Sequence, residues 1–261
     1  MRFIHISDTH FKKDKFDLFG LDPQKRLKKA IKSINKNHRN AKFIIVTGDL
    51  TDKGDKHSYQ TIKDILDTAK IPVYTIIGNH DHRENYLSVF EDAFLNDGFV
   101  QGTLIIKNSA FIFLDTKIEN THAGDMCDKR FAWFKNELKV HKDRDIYLFM
   151  HHPPMDIGIP KMDIVVFKSK QKLKRILLKT ANIKYLFFGH VHRQISGIWA
   201  GVPYSCVKGI NHQVSYQKGM EELYFTNEEK PAYNVVEILK NYVNINSHEF
   251  LDEDEFYLAD Y

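Results

Sequence analysis

The stretch Phe43-Ile44-Ile45-Val46-Thr47-Gly48-Asp49-Leu50-Thr51-Asp52 decides how this chain reads. Phe43–Thr47 is a short apolar run of the length and residue type of a buried strand, and it stops at a Gly-Asp turn with a second carboxylate three residues on. Outward from it the pattern recurs. Phe3–Ile6 leads to Asp8-Thr9-His10, Val73–Ile77 to Gly78-Asn79-His80-Asp81, Ile146–Met150 to His151-His152-Pro153-Pro154, and Tyr185–Phe188 to Gly189-His190-Val191-His192. Phe111–Leu114 reads as a further strand, followed by Asp115-Thr116.

Between the strands the period changes to that of helices. Gln24–Asn37 puts Leu27, Ala30, Ile31 and Ile34 on one face, and Ser58–Ala69 does the same with Ile62, Ile65, Leu66 and Ala69, Ser58 serving as N-cap. Phe131–His141 and Gln171–Lys179 read as helices by the same spacing. The alternation is that of a layered α/β domain. Beyond residue 194 the texture turns β-like, in Ile195–Trp199, Val202–Val207, Glu222–Phe225 and Tyr233–Leu239. A single domain is expected, with the catalytic part in residues 1–215 and a β-rich elaboration with an acidic tail in 216–261.

The chain has 261 residues, 43% hydrophobic and 28% charged, which is enough apolar material for a sizeable core and excludes disordered and collagen-like classes. Its apolar runs stop at a handful of residues, where a membrane-spanning helix needs about 20. The start, MRFIHISDTH, lacks a secretory signal pattern, and two cysteines, Cys127 and Cys206, form no disulfide framework or metal-type spacing. A cytoplasmic protein is expected. The formal charge is +4, but residues 249–261 carry six acids and no base. Without them, 38 basic against 28 acidic residues leave +10 on residues 1–248. Such an excess suits an anionic substrate, although lysine-rich solvated helix faces are the commoner source. The acidic end reads either as a solvated terminus or as a subunit contact.

All five polar clusters begin within two residues of the carboxyl end of an expected strand, the edge at which open α/β sheets bind ligands. Their carboxylates, amide and imidazoles are hard and borderline metal donors. On an extended backbone the side chains of Asp8 and His10, and of His190 and His192, would project together. One bridging carboxylate would let the set serve two ions, and Asp49 in its Gly-Asp turn is the natural bridge. Each cluster alone has a plainer reading. A lone D-x-H is common, Gly-Asp and Gly-Asn are ordinary turns, and His-His-Pro-Pro can simply begin a loop. Five of them in one order at strand ends point to one site.

With these residues in hand, the chain resembles the calcineurin-like metallophosphoesterases, whose signature runs D-x-H, G-D-x-x-D, G-N-H-D/E, H-x-P and G-H-x-H; the match spans residues 8–192. It is most similar to the class III cyclic nucleotide phosphodiesterases and the bacterial glycerophosphodiesterases. The residues carrying that likeness are Gly78 to Arg83, Leu114-Asp115-Thr116, and His151 to Pro154 followed by Gly158, Met162 and Asp163. The resemblance implies a four-layer αββα sandwich of two mixed β-sheets. It implies a binuclear centre of two divalent or mixed-valence ions, Fe, Mn or Zn. Asp8, His10, Asp49 and His192 would hold one, and Asp49, Asn79, His151 and His190 the other.

The implied activity is hydrolysis of small phosphodiesters, cyclic nucleotides first and glycerophosphodiesters second, by in-line attack of a metal-bound hydroxide. A non-catalytic scaffold is disfavoured by the intact ligand set. His80 would act as donor to the phosphate or leaving oxygen, oriented by Asp52 or, in competition, by Asp81. Lys53 stands where the protein phosphatases carry arginine, which argues against that branch. Asn79, His80, His152, Arg83 and Arg193 are the candidate substrate contacts, the two arginines reading equally well as surface salt bridges. His122 reads as a solvated loop histidine rather than a lid residue. The pocket wall is expected from Asn120–Lys129, Pro154–Val166 and the C-terminal region of another subunit, that region being the candidate homo-oligomer contact. Neither a membrane nor nucleic acid is expected as partner, since Lys161–Lys179 lacks interleaved aromatics.

Overall fold

The structure, a computed structural model, describes residues 1–12, 18–216, 223, 225–226 and 229–251. Asp252 to Glu255 and Asp260, most of the acidic end, lie outside the described residues, as does Glu222 of the expected strand Glu222–Phe225.

One sheet is built on β1 (Arg2–Ile6), β2 (Ile44–Thr47) and β3 (Val73–Ile76), all parallel, and is extended by antiparallel β12 (Ala232–Ile238) and β13 (Val243–Glu249) in the order β13-β12-β1-β2-β3. The other contains β4 (Gly102–Ile106), β5 (Ser109–Phe113), β6 (Asp145–Phe149), β7 (Ile183–Phe188), β8 (Ile195–Trp199) and β9 (Val202–Cys206) in the order β4-β5-β6-β7-β9-β8. Its centre, β5-β6-β7-β9, is parallel, and both edge pairs are antiparallel. A two-stranded ribbon, β10 (Gln213–Val214) with β11 (Phe225–Thr226), stands apart.

Strand alternation sorts side chains into layers. Phe3, Phe43, Ile45, Phe111, Phe113, Tyr147, Phe149 and Phe187 fill the space between the sheets. Phe3 stacks on Phe43 at 4.9 Å between ring centroids, and Phe149 on Phe187 at 5.0 Å. The intervening residues Ile4, Ile6, Ile44 and Val46 turn the other way, onto α1 (Pro23–Asn37) and α2 (Lys56–Leu66). Ile112, Leu148 and Leu186 meet α4 (Asp128–Val140) and α6 (Lys170–Leu177) on the far side. The architecture is therefore the four-layer αββα sandwich of two mixed sheets.

Two short helices, α3 (Arg83–Leu87) and α5 (Pro160–Asp163), complete the described elements. The cap of α2 differs from expectation. Asp55 is the N-cap, its carboxylate accepting from the Ser58 amide at 3.0 Å and the Ser58 hydroxyl at 2.6 Å, so Ser58 is inside the helix.

Candidate metal centre

The five clusters follow β1, β2, β3, β6 and β7 directly, so the two sheets bring them together along one edge of the sandwich. The loops are not extended there. Asp8, His10, Asp49, His190 and His192 have φ of 57°, 43°, 48°, 69° and 51°. The left-handed region is uncommon for side chains other than glycine, but Asp and His enter it more readily than most, and such strain of about 1–3 kcal/mol per residue gathers at functional sites. The paired side chains of each D-x-H and H-x-H thus converge through tight turns, not through the extended geometry expected. Main-chain bonds hold those turns, from the Asp8 amide to the Gly48 carbonyl at 3.1 Å and from the His10 amide to the Asp49 carbonyl at 3.0 Å.

Two glycines are required by this crowding. Gly48 takes φ of 92°, and a Cβ on it would stand 2.6 Å from His151 Nδ1. A Cβ on Gly78 would collide with the Asp49 carboxylate and the His151 ring.

One set, Asp8, His10, Asp49 and His192, and another, His151, His152 and His190, each bring their donor atoms within 4.8 Å of one another, and all seven residues are buried. Asp49 joins the two. Its Oδ2 lies 3.6 Å from His10 Nε2 and 3.3 Å from His151 Nε2. Asn79 Oδ1 is 3.1 Å from the same His151 nitrogen.

Hydrogen bonds decide what those nitrogens can offer. His151 Nδ1 donates to the Thr47 carbonyl at 2.7 Å, and His192 Nδ1 to the His212 carbonyl at 3.0 Å. The neutral form of each ring then presents an Nε2 lone pair inward. His151 Nε2 would meet two oxygens, and His192 Nε2 meets His10 Nε2 at 3.0 Å and Asp8 Oδ1 at 3.4 Å. Lone pairs converging on lone pairs need a proton or a cation between them. Among the described residues, Asp8 Oδ2, His10 Nδ1, His152 Nε2 and His190 Nε2 are buried without hydrogen-bond partners. The donor set and these orphaned atoms fit a pair of divalent cations.

The ionisations carry the same signature. Burial opposes a charged His151, yet the Asp49 carboxylate overrides it and raises the ring to about 9. For His10 burial is likewise outweighed by Asp52, Asp49 and Asp8, and its pKa rises. Burial would raise Asp49, but His151, His80 and His10 hold it well below the usual carboxylate range. His190 and His192 are lowered by burial and by neighbouring imidazoles, His192 to about 4.

The other expected residues take definite places around the centre. His80 Nδ1 donates to the Asp52 main-chain carbonyl at 3.0 Å, so the ring is oriented by backbone. The Asp52 carboxylate lies 3.7 Å from His10 Nδ1 and 3.6 Å from Lys12, and within 4.8 Å of a His80 ring nitrogen. The Asp81 carboxylate is turned to the main chain. It accepts from the amides of Leu50, Thr51 and Gly78 and from the Tyr59 hydroxyl, lacing two of the loops together. Burial and the nearby Asp49 charge raise its pKa in spite of those donors.

Arg83 is paired with carboxylates. Its guanidinium forks onto buried Asp115 at 3.0 and 3.1 Å and reaches Glu119 at 2.6 Å. Arg193 is committed to the Val214 carbonyl and Glu229, both at 2.9 Å. His152 is fully buried, with Nδ1 2.8 Å from the Thr116 hydroxyl, and its donor atom lies within 4.8 Å of those of His151 and His190.

Two histidines belong to the site although no motif marks them. His122 Nδ1 accepts from the Asn79 amide at 3.0 Å, and its ring lies 5.1 Å from that of His80. His212 is buried against His192 and His10, ring centroids 4.3 and 5.0 Å apart, and burial with those neighbours drives its pKa far down. Each is an isolated histidine in the sequence; only the fold brings it here.

Above the centre opens a cavity of about 350 Å³ lined by His10, Asp49, Asn79, His80, His190 and His192. Lys161, Met162 and Val165 form part of its wall, within the expected Pro154–Val166 segment. His122, within the expected Asn120–Lys129 segment, lines it as well, and Asp52, His212, Leu18, Phe19, Leu223 and Phe225 of this same chain complete the lining.

The calcineurin-like phosphoesterase family profile matches residues 1–194. A Rhodopseudomonas palustris protein named a probable cyclic nucleotide phosphodiesterase is 34% identical over 96% of this chain and 93% of its own length. A probable glycerophosphodiester phosphodiesterase of Arcobacter nitrofigilis is 32% identical over 81% of this chain and 79% of its own. The fold is shared with a dimetal phosphatase from Danio rerio, at a TM-score of 0.71, 12% identity and 96% coverage of both chains. The profile match and the extent of these similarities are decisive: the chain belongs to the calcineurin-like phosphoesterase family, which works with a pair of divalent metals.

Proposed function

We propose that the chain is a binuclear metal-dependent phosphodiesterase that hydrolyses small phosphodiesters, cyclic nucleotides first among them. One observation carries the reading. Asp49 Oδ2 stands between His10 Nε2 and His151 Nε2, at 3.6 and 3.3 Å, and so faces both donor sets at once. Asp8, His10, Asp49 and His192 would hold one ion, and Asp49, Asn79, His151 and His190 the other. Fe, Mn or Zn suits this mixture of nitrogen and oxygen donors. When bound, such a pair supplies Lewis-acid polarisation of the phosphoryl oxygens and activation of water.

The chain's own residues do the rest. The left-handed turns and the Asp81 lacing keep the donors preorganised. His80 is pinned through Nδ1 to the Asp52 carbonyl, and as the imidazolium, with both nitrogens protonated, it donates from Nε2 to a phosphate oxygen or hands that proton to the leaving oxygen. His122 fixes the Asn79 amide so that Oδ1 points to the centre.

The cyclic nucleotide reading is supported by the 34% identity to the Rhodopseudomonas protein, and the second reading, a glycerophosphodiesterase, by the 32% identity to the Arcobacter protein. Catalysis would belong to residues 1–215, with β12 and β13 of 216–261 completing the first sheet. Among the described residues no helix is long and apolar enough to cross a membrane, and both cysteines are free, which is in keeping with a reducing, cytoplasmic setting.

The test is an activity panel on Mn²⁺-reconstituted protein with cyclic AMP, 2′,3′-cyclic nucleotides, glycerophosphodiesters, bis(p-nitrophenyl) phosphate and p-nitrophenyl phosphate. Hydrolysis of diesters, with cyclic AMP preferred, is expected. Turnover confined to the monoester, or none at all, would overturn the reading.

A further inference from the structure

Lys117, on the loop that leaves β5, has a side chain only 5% exposed. Lysine is almost never buried, and its ammonium tolerates burial only where the charge is well partnered. The adjacent carboxylate does not account for it. Glu119 Oε2 stands 3.5 Å from Nζ, but that side chain is 53% exposed and meets Arg83 more closely, at 2.6 Å. The close partner of Nζ is the main-chain carbonyl of Asn79, at 3.1 Å.

That carbonyl belongs to the Asn79–His80 peptide, whose N–H, on His80, donates to Asp49 Oδ1 at 2.9 Å. A peptide unit is planar and delocalised, so a cation on its oxygen draws charge from its nitrogen and makes the N–H a stronger donor. Lys117, the peptide and Asp49 form one polarised chain. With Oδ1 held in this way, Oδ2 is the oxygen that faces His10 and His151, at 3.6 and 3.3 Å. The loop keeps the ammonium in place. The Lys117 amide donates to Asp115 Oδ1 at 3.0 Å, and its carbonyl accepts from Arg83 at 3.3 Å and Arg130 at 3.0 Å. The chain then doubles back to pair Gly124 with Lys117, and between them His122 accepts from the Asn79 side chain. One loop thus grips Asn79 twice, at its side-chain amide through His122 and at its carbonyl through Lys117.

We propose that Lys117 is the positioning residue of the bridging carboxylate: its ammonium, acting through the Asn79–His80 peptide, fixes Asp49 Oδ1 and leaves Oδ2 turned to both ions. The inference rests on the binuclear reading above and adds a residue outside both donor sets. The sign of its effect is distinctive. An ammonium acting only through its charge repels cations, so its loss would tighten metal binding. An ammonium that aligns a ligand does the reverse, and partners of that kind are worth about 10–100-fold in affinity.

The experiment compares wild type, Lys117→Met and Glu119→Gln, each checked for fold by its Tm, in two readouts: stepwise Mn²⁺ binding by calorimetry, and the His80 amide resonance in ¹H–¹⁵N spectra of the metal-free protein. In Lys117→Met the second Mn²⁺ is expected to bind about 10–100-fold more weakly, and the His80 amide proton to move upfield as its bond to Asp49 slackens. Glu119→Gln removes the exposed ion pair and keeps the bond to the Asn79 carbonyl, so both readouts are expected to stay near wild type. Unchanged or tighter Mn²⁺ binding in folded Lys117→Met would overturn the proposal, as would a His80 resonance that does not move, or equal effects in Glu119→Gln. Where the methionine variant does not fold, Lys117→Gln, which keeps a donor without the charge, is judged by the same two readouts in the same directions. If the wild type binds fewer than two Mn²⁺, the binuclear reading fails, and the chain from Lys117 to Asp49 is then judged on the His80 amide alone.

Discussion

The Asn79 amide nitrogen donates to His122 Nδ1 across 3.0 Å, which turns the amide oxygen of Asn79 toward His151 Nε2 at 3.1 Å. An amide can present oxygen or nitrogen to a metal centre, and here the histidine makes the choice. Partners of this kind, one shell out from a metal, are worth about 10–100-fold in affinity or activity. His122→Ala is therefore expected to weaken binding of the ion on the Asn79 side by that range while leaving the other nearly intact. Stepwise Mn²⁺ titration followed by calorimetry checks this, and two unweakened binding steps would refute it.

His80 is held from behind by the Asp52 main-chain carbonyl, at 3.0 Å, and lines the cavity. His80→Ala is expected to keep its metals and to lose about 10²–10⁴ in kcat, the scale of one acid-base or electrostatic group. Asp52→Asn leaves the carbonyl in place and is expected to cost far less. Comparable losses in the two variants would return the orienting role to the carboxylate.

Asp81 binds the loops after β2 and β3 through the amides of Leu50, Thr51 and Gly78. Removing the carboxylate strands buried donors, each costing about 1–3 kcal/mol. Asp81→Ala is expected to lower unfolding free energy by about 3 kcal/mol or more in urea titrations. A loss below about 1 kcal/mol would show that water replaces the carboxylate without penalty.

His5 sits between the sheets, wholly buried, with Nε2 2.9 Å from the Thr47 hydroxyl, and burial lowers its pKa to about 3. In the unfolded chain the ring takes a proton near pH 6.5, so stability is full above that pH and falls as pH drops toward 3. From pH 7 to pH 5 this one ring accounts for a loss of about 2 kcal/mol. Chelator-treated wild type and His5→Gln, unfolded in urea across that range, are expected to differ in slope by about one proton. Parallel slopes would contradict the assignment.

Much of the fold was legible because the strands are short, buried and punctuated. Ile4, Ile6, Ile44 and Val46 face one layer and Phe3 and Ile45 the other, and each run ends in the polar cluster that it delivers to the site edge. Strands β4 and β13 escaped notice because both are half exposed at sheet edges, where Gly102 and the polar Asn244, Asn246 and Ser247 blur the pattern. The donor residues could be read from motif and spacing; their backbone could not. Left-handed φ at Asp8 and His190 arises from loop crowding around Gly48 and Gly189 that no local pattern encodes. For Arg83 and Arg193 the sequence left a substrate contact and a salt bridge equally open. Sequence adjacency to a cluster says nothing of direction, and both side chains turn away to carboxylates, Asp115 and Glu229.

The most direct test of the centre is anomalous diffraction from Mn²⁺-soaked crystals, with wild type and Asp49→Ala side by side. In the wild type two peaks about 3.5–4 Å apart are expected, one on each side of the Asp49 carboxylate, and in the variant no more than one. A single ion in the wild type, or two ions persisting in Asp49→Ala, would contradict a binuclear centre bridged by Asp49.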